Sequence, residues 1–419
     1  MHADALYDPA RVYVHPSAAS TGILLAEEHV LQERRAFKAS NQEPRRIFLA
    51  PIRELASEIG PRRATSKAEA QAAAVVAGLL RRSGLEVTIQ TFAAAAAPTA
   101  GLLGLVALGL LAAGAGYWLP LPSALLALWS SFLAWRELRG PAMLATLLRR
   151  RESQNVVGTR AASETPYWRV VLLCHLDSPP VLSVRSTRLL HLGLLLIPLA
   201  LFAQAALLLA SHWWPSAWIA ALVPLALLGL SGAVLLWRER WARWAPGAVS
   251  AAGAAVAAAA AATLQDLQYV ELWVVATGAG AAGGAGTTQL LKRYPFPTGE
   301  TCFINLPALG RGRLTLITRE GSLRRLRSDR FLQMLIASVA AEKRIALDSR
   351  PVSVERLENS APLARGYRAV SLAGLDPSGM LAGYRSADDD PQTLDQAQLE
   401  DALQLLIAVI RRLDRMGPA

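Results

Sequence analysis

Cysteine and histidine are scarce in this chain, and charge is missing from two long stretches. There are only two cysteines, Cys174 and Cys302, too few for a disulfide framework. One ends and the other begins an apolar, strand-like run, so both are expected as buried, reduced thiols of a cytoplasmic domain. All six histidines lie at or before position 212, so a metal centre built later in the chain has no imidazole to draw on. No acidic residue occurs over 245–265 or over 272–299, which excludes carboxylate chemistry from those stretches. The opening Met1-His2-Ala3-Asp4 has no basic-then-apolar leader.

Charge is absent from 87–135 and again from 189–237, His191 and His212 being taken as neutral. Each run is long enough for two membrane crossings of about 20 residues joined by a turn. The turns fall at Leu119-Pro120-Leu121-Pro122-Ser123 and Ser211-His212-Trp213-Trp214-Pro215, and Trp118, Trp213 and Trp214 suit an interfacial belt. Transmembrane hairpins are therefore expected at 98–135 and 189–237. The first has a short second half, so a re-entrant hairpin is an alternative there. Arg136, Arg139, Arg149, Arg150 and Arg151 follow the first hairpin; Arg185 and Arg188 precede the second, and Arg238, Arg240 and Arg243 follow it. The far turns carry no Lys or Arg. The positive-inside rule then gives a multi-pass protein of the cytoplasmic membrane, with its polar sequence facing the cytoplasm. The net charge of +11 arises in part from these arginines, which anionic headgroups attract. Nucleic acid is not expected as a partner, because the arginines track the hairpins and no aromatic-basic reading surface is visible.

The remaining sequence alternates between helical and strand patterns, as in an α/β sandwich. It falls into segments 51–97, 136–188 and 238–419 of one domain, with 1–50 as an N-terminal arm. Ser66-Lys67-Ala68-Glu69 reads as a capping box before an Ala-rich helix that runs to Arg82, with Gly84 as its C-terminal cap. Strands are expected at 85–89, 169–174, 270–276 and 301–306, an alanine-rich helix at 251–264, and a final amphipathic helix from Leu394-Asp395 to about Leu413.

The order of these pieces resembles the co-catalytic zinc aminopeptidase family. Ile59-Gly60-Pro61-Arg62-Arg63, the capped helix and Ser83-Gly84-Leu85-Glu86-Val87 are similar to that family's opening. Asn155-Val156-Val157-Gly158-Thr159, then a strand ending in His175-Leu176-Asp177, resembles its His-x-Asp strand. Ala245-Pro246-Gly247-Ala248, the stretch 270–286, Phe303-Ile304-Asn305-Leu306-Pro307 and Tyr384-Arg385-Ser386-Ala387-Asp388-Asp389 resemble its later ligand loops, in order. The resemblance implies a mixed-sheet α/β/α sandwich into which the two hairpins are inserted. It also implies two zinc ions held by one histidine and one carboxylate each, a bridging aspartate, and a free glutamate as general base.

Most of that set is missing. His175 and Asp177 remain, and their i, i+2 spacing at a strand end places both on one face. The bridging aspartate aligns at Ser250, the paired glutamates at Gly280 and Ala281, the next ligand at Pro307 and the last histidine at Arg385. A lone His175/Asp177 pair binds zinc poorly, so no metal cofactor is expected, and these seven positions are read as vestigial. Asp388-Asp389-Asp390 is read as a solvated loop rather than a cation site.

One further motif competes. Gly278-x-Gly280-x-x-Gly283 follows a strand, which is dinucleotide-loop spacing, and Glu300 lies about where a ribose-binding acid would. Its neighbours all fit the peptidase order, so small residues filling a loop without catalytic acids is the preferred reading. The expected function is an inactive peptidase-like domain at a bilayer, acting as scaffold, receptor or assembly subunit with a protein partner or further copies of itself. The alternatives are an active membrane zinc aminopeptidase and a nucleotide-binding membrane module.

Overall fold

The computed structural model describes residues 42–97, 99–139, 143–281, 284–321, 325–352 and 357–417. The chain divides into two units, Met1–Arg46 and Ile47–Ala419. Most of the first unit, and with it most of the expected N-terminal arm, lies outside the described residues. The first helix, α1 (Gln42–Arg53), runs into a π-helical turn at Glu54–Ile59. The boundary expected at position 50 falls inside α1. Phe48, Ile52, Leu55 and Ala56 are all buried in the main core, so this stretch belongs to the domain rather than to an arm.

Helix α2 (Lys67–Arg82) begins where the capping residues place it: the Ser66 hydroxyl accepts from the Glu69 amide at 3.2 Å, and Gly84 takes the left-handed conformation beyond its end. An eight-stranded sheet follows from β1 (Glu86–Ala95), β2 (Arg150–Arg160), β3 (Trp168–His175), β4 (Val270–Thr277), β5 (Thr301–Asn305), β6 (Arg313–Ile317), β9 (Asp348–Arg350) and β10 (Arg368–Leu375). Two short strands, β7 (Arg319–Glu320) and β8 (Leu326–Arg327), pair separately. The sheet order is β1-β2-β4-β3-β5-β10-β6-β9. Its centre, β4-β3-β5-β10, is parallel, and β1 against β2, β2 against β4 and β10 against β6 are antiparallel. Central parallel strands are covered on both faces, so they read as unbroken apolar runs such as Val170–Cys174.

One face packs against α1, α2, α9 (Ala248–Thr263), α11 (Arg330–Glu342) and α13 (Gln396–Asp414). The other face packs Phe303 against Phe296 and Tyr367, beside α10 (Ala285–Arg293) and α12 (Ser360–Ala364). Every alanine of α9 from Ala251 to Ala261 is buried. Their small side chains let this helix lie close to the sheet, and Gly253 passes against the Leu306 carbonyl, where a Cβ would collide. The expected α/β/α layering is what the chain forms.

Two helical hairpins interrupt this sandwich. The first comprises α3 (Ala100–Ala115) and α4 (Pro120–Arg139), then the short α5 (Met143–Leu148). It grows from the β1–β2 connection, whose strands stay paired to the end, Ala95 opposite Arg150. The second comprises α6 (Val184–Ala210), α7 (Ala217–Ala220) and α8 (Leu222–Trp241), between β3 and α9. Strands β1, β3 and β4 point the same way, so both hairpins leave the sheet at the carboxyl edge of its parallel strands. That is the edge where α/β sheets place their binding sites.

The four long helices pack through Leu102, Leu105, Val106, Ala134, Ile197, Leu201, Leu228 and Leu235. Gly109 sits against Leu201 and Leu228, a close approach that a side chain would block. Their outer faces expose Leu111, Trp129, Phe132, Phe202, Val223 and Trp237. Away from the bundle and α5, the large exposed apolar side chains among the described residues are Ile89, Tyr167, Met334 and Met416. Within the second hairpin, Leu192–Ala210 and Ala217–Trp241 are long and apolar enough to cross a membrane, whereas α3 is shorter, at 16 residues.

Candidate functional site

His175 ends β3 and is fully buried with Asp177. Its Nδ1 lies 2.6 Å from the backbone carbonyl of Asp177, and its Nε2 lies 3.1 Å from the carbonyl of Pro307. A carbonyl oxygen only accepts, so both ring nitrogens must donate, and the ring is an imidazolium. Burial, the largest influence, works against this charge. The buried Glu358 carboxylate and then Asp177 outweigh it and raise the pKa from 6.5 to about 9. The Tyr384 ring closes the site edge-on, its centroid 5.6 Å from the imidazole.

The Asp177 carboxylate faces the glycine-rich loop after β4. Its Oδ1 accepts from the amides of Gly280 at 2.9 Å and Ala281 at 3.0 Å. The amide before them, Ala279, donates to Glu69 Oε1 at 2.7 Å, and Gly278 donates to Asn155 Oδ1 at 3.1 Å. Ala279 takes a left-handed φ of 49°, which turns successive amides toward these acceptors. Four amides that a phosphate cradle would aim at a ligand are thus spent on side chains of this chain. Gly283 lies outside the described residues.

Gly280 is needed for space. A Cβ there would lie 2.6 Å from the His175 Cβ and 2.7 Å from Glu358 Oε1. The space around Gly280 is therefore closed by its neighbours. Gly280→Ala is expected to destabilise the protein by about 1–3 kcal/mol through overpacking, and thermal unfolding of the variant checks it.

Glu69 is the first buried acid behind the loop. Besides Ala279, it accepts from the Thr65 amide at 2.7 Å and the Ser153 hydroxyl at 3.0 Å. The capping box is therefore only half formed, since the Glu69 side chain reaches past the helix end into the site. Burial, reinforced by Asp177, raises its pKa to about 7 against the pull of these three donors.

Arg62, 1% exposed, supplies the second buried cation. Its Nε donates to the Leu176 carbonyl, its Nη1 to those of Leu55, Gly60 and Pro246, and its Nη2 to that of Gly247, at 2.6–3.0 Å. One guanidinium so joins the turn after α1, the segment after β3 and the loop before α9. Burial lowers its pKa to about 10, with Asp389 and Asp177 opposing the shift.

Asp389 corrects the expectation of a solvated acidic loop. It is fully buried, and its Oδ1 accepts from the Val249 amide at 3.0 Å. Helix α9 starts at Gly247, which has no side chain to cap it, and Asp389 takes that role from far along the chain. Burial raises its pKa to about 6, against the Val249 amide, Arg311 and Arg62. Asp390 caps a short turn through the Gln392 amide, and the Asp388 carbonyl accepts from Arg311.

The seven aligned positions thus meet different fates. His175, Asp177, Gly280 and Ala281 converge in one hydrogen-bonded cluster, to which Pro307 contributes its carbonyl. Ser250 is buried in the first turn of α9, with its hydroxyl unpartnered. Arg385 lies over the Tyr384 ring and reaches the Pro180 carbonyl, while its own carbonyl accepts from Leu182. Nothing in the sequence singles out Glu358: it stands in a stretch without strand or helix periodicity, and only the fold brings it to His175.

Zinc requires three or four protein ligands with free lone pairs. Both His175 nitrogens and Asp177 Oδ1 are engaged, which leaves Asp177 Oδ2 as the unpartnered oxygen of the pair, and five of the aligned positions bring no ligand group of the required kind. Among the described residues no three His, Cys, Asp or Glu side chains converge on a point that could hold a metal ion. The residues present do not fit the family's paired zinc ions.

No family model matches the chain, and no curated protein does. Solved structures do. A zinc aminopeptidase from Bacillus subtilis aligns with a TM-score of 0.53 at 14% identity, covering 88% of this chain and 94% of that one. An aminopeptidase from Aneurinibacillus sp. strain AM-1 aligns with a TM-score of 0.53 at 14% identity, covering 87% and 92%. LapA from Legionella aligns with a TM-score of 0.50 at 10% identity, covering 93% and 76%. The chain has the zinc-aminopeptidase-like fold.

Proposed function

We propose that this chain is a membrane-embedded pseudopeptidase: a zinc-aminopeptidase-like domain without a metal centre, acting as a scaffold or assembly subunit for another protein or for further copies of itself. One observation carries the proposal. The histidine that would ligate zinc has both ring nitrogens turned onto backbone carbonyls, with its positive charge set among buried carboxyl groups. The buried positive charge near these carboxyl groups is carried by this imidazolium and by the Arg62 guanidinium.

The membrane part rests on the exposed apolar faces of the four helices and on the arginines at their sheet-side ends. Arg63 pairs with Glu239 of α8 at 2.8 Å and stacks on Trp244, and Thr99 also bonds Glu239, so both hairpins are tied to the loop that leads into α2. In this reading the cytoplasmic domain is held with the carboxyl edge of its sheet toward the bilayer.

Metal analysis of the purified full-length protein tests the proposal. Zinc is expected far below one equivalent per chain, with no release of product from aminoacyl fluorogenic substrates, with or without added zinc or cobalt. Stoichiometric zinc, or a turnover that His175→Ala abolishes, would overturn it. Recovery of the protein from washed membranes only with detergent is expected in parallel.

A further inference from the structure

Helices α4 and α6 enclose a groove of about 580 Å³ on the outer face of the bundle, a volume within the range of small-ligand sites. Its walls are Leu125, Trp129, Phe132 and Trp135 from α4, and Leu199 and Phe202 from α6. The buried Ser131 and Pro198 also line it. Pro198 removes an amide from the middle of α6, and the Ser131 hydroxyl donates to the Pro198 carbonyl at 2.8 Å. A small side chain and a proline leave a hollow where neighbouring positions carry bulky residues. Leu125, Trp129 and Leu199 are 69%, 60% and 59% exposed, so nothing among the described residues fills it.

The dimensions and the rim identify an occupant. From Leu125 to Trp135 the helix rises about 15 Å, half of a bilayer core about 30 Å thick. A groove one leaflet deep suits an acyl chain, whereas a partner helix would pack along the full span. Its sheet-side end is basic. The Arg139 guanidinium stacks 4.3 Å above the Trp135 ring, and Arg136 lies one turn away, turned onto the sulfur of Met143. Neither has a carboxylate partner among the described residues. We infer that this groove binds one anionic phospholipid of the cytoplasmic leaflet, with an acyl chain against Trp129, Phe132 and Phe202 and the phosphate at Arg136 and Arg139.

This inference rests on the membrane reading of the bundle, and the two fail differently. Native mass spectrometry of the detergent-purified full chain, with equal amounts of phosphatidylglycerol and phosphatidylcholine, reads the site directly. One retained lipid per chain is expected, with phosphatidylglycerol favoured about tenfold, since each arginine near the surface adds measurable attraction. Arg136→Gln combined with Arg139→Gln should reduce that preference to near unity while lipid is still retained. Leu199→Trp, at an exposed position, should fill the groove and abolish retention, whereas Leu111→Trp on α3 should not. Equal retention of both lipids by the unaltered protein, retention surviving Leu199→Trp, or a dimer with no lipid would overturn the inference and leave the membrane reading standing. Recovery of the protein in the soluble fraction without detergent would overturn both.

Discussion

Arg62→Ala is expected to remove about 4–5 kcal/mol of stability, enough to leave much of the protein unfolded. Two effects oppose each other at this residue. Keeping a guanidinium dry is costly, as its lowered pKa of about 10 records. Truncation recovers that cost, but it takes a donor from five carbonyls, those of Leu55, Gly60, Leu176, Pro246 and Gly247, of which Gly247 keeps the Ala251 amide. Each buried group left unpaired costs about 1–3 kcal/mol, so the loss of donors wins even if water reaches some of them. Asp389 and Asp177 also lose a neighbouring cation. Arg62→Lys should recover little, because an ammonium has three donors and no planar fork to span three chain segments. Thermal unfolding of the full chain in detergent measures both variants. A loss below about 1 kcal/mol for Arg62→Ala would show that the carbonyls find other partners and that the residue is not the tie described here.

The parts of the fold legible in the sequence are those whose causes are local. The Ser66 cap, the glycine ending α2, the apolar run of β3 and the Asp395 cap of α13 each depend on a few adjacent residues, and the structure places them within a residue or two. Strand β1 extends well past its expected end because Ala93–Ala95 pair with Arg150–Glu152, and three alanines carry no strand signal of their own. Strand β10 and helix α11 have no counterpart among the expected elements, although β10 lies in the parallel centre; small Ser371, Ala373 and Gly374 interrupt its apolar run. The site divides the same way. Missing acids and imidazoles are visible by inspection. The protonation of His175 is not, because it depends on where the carbonyls of Asp177 and Pro307 point. The burial of Asp389 follows from an uncapped helix more than a hundred residues earlier, which no local reading can supply.

Stability should fall, not rise, as the pH is taken from about 4 to about 9, and His175 should account for the upper half of the fall. Three groups of the buried cluster and its surroundings hold their protons more tightly than the unfolded chain does: Asp389 at about 6 instead of 3.8, Glu69 at about 7 instead of 4.5, and His175 at about 9 instead of 6.5. A raised folded pKa means that the native state binds more protons, so unfolding becomes easier as pH increases through each window. For the two acids the cause is burial, which penalises their charged forms. For His175 the cause is attraction by Glu358 and Asp177 exceeding the burial penalty. The stability it contributes is fully present below pH 6.5 and is lost through pH 9. A difference of 2.5 pH units corresponds to about 3 kcal/mol. Above that pH the neutral ring can donate to only one of its two carbonyls, and the other is left facing a lone pair. Most proteins gain stability over the acid half of this range because their carboxylates are paired with cations; here the buried acids outnumber the buried cations. Unfolding temperatures recorded between pH 5 and 9.5 should therefore decline for the unaltered chain. In His175→Gln the decline between pH 6.5 and 9 should disappear, and in Glu69→Gln the lower part should flatten. A wild-type curve that is level or rising between pH 6.5 and 9 would mean that the ring is neutral when folded, with a lone pair available to a metal ion.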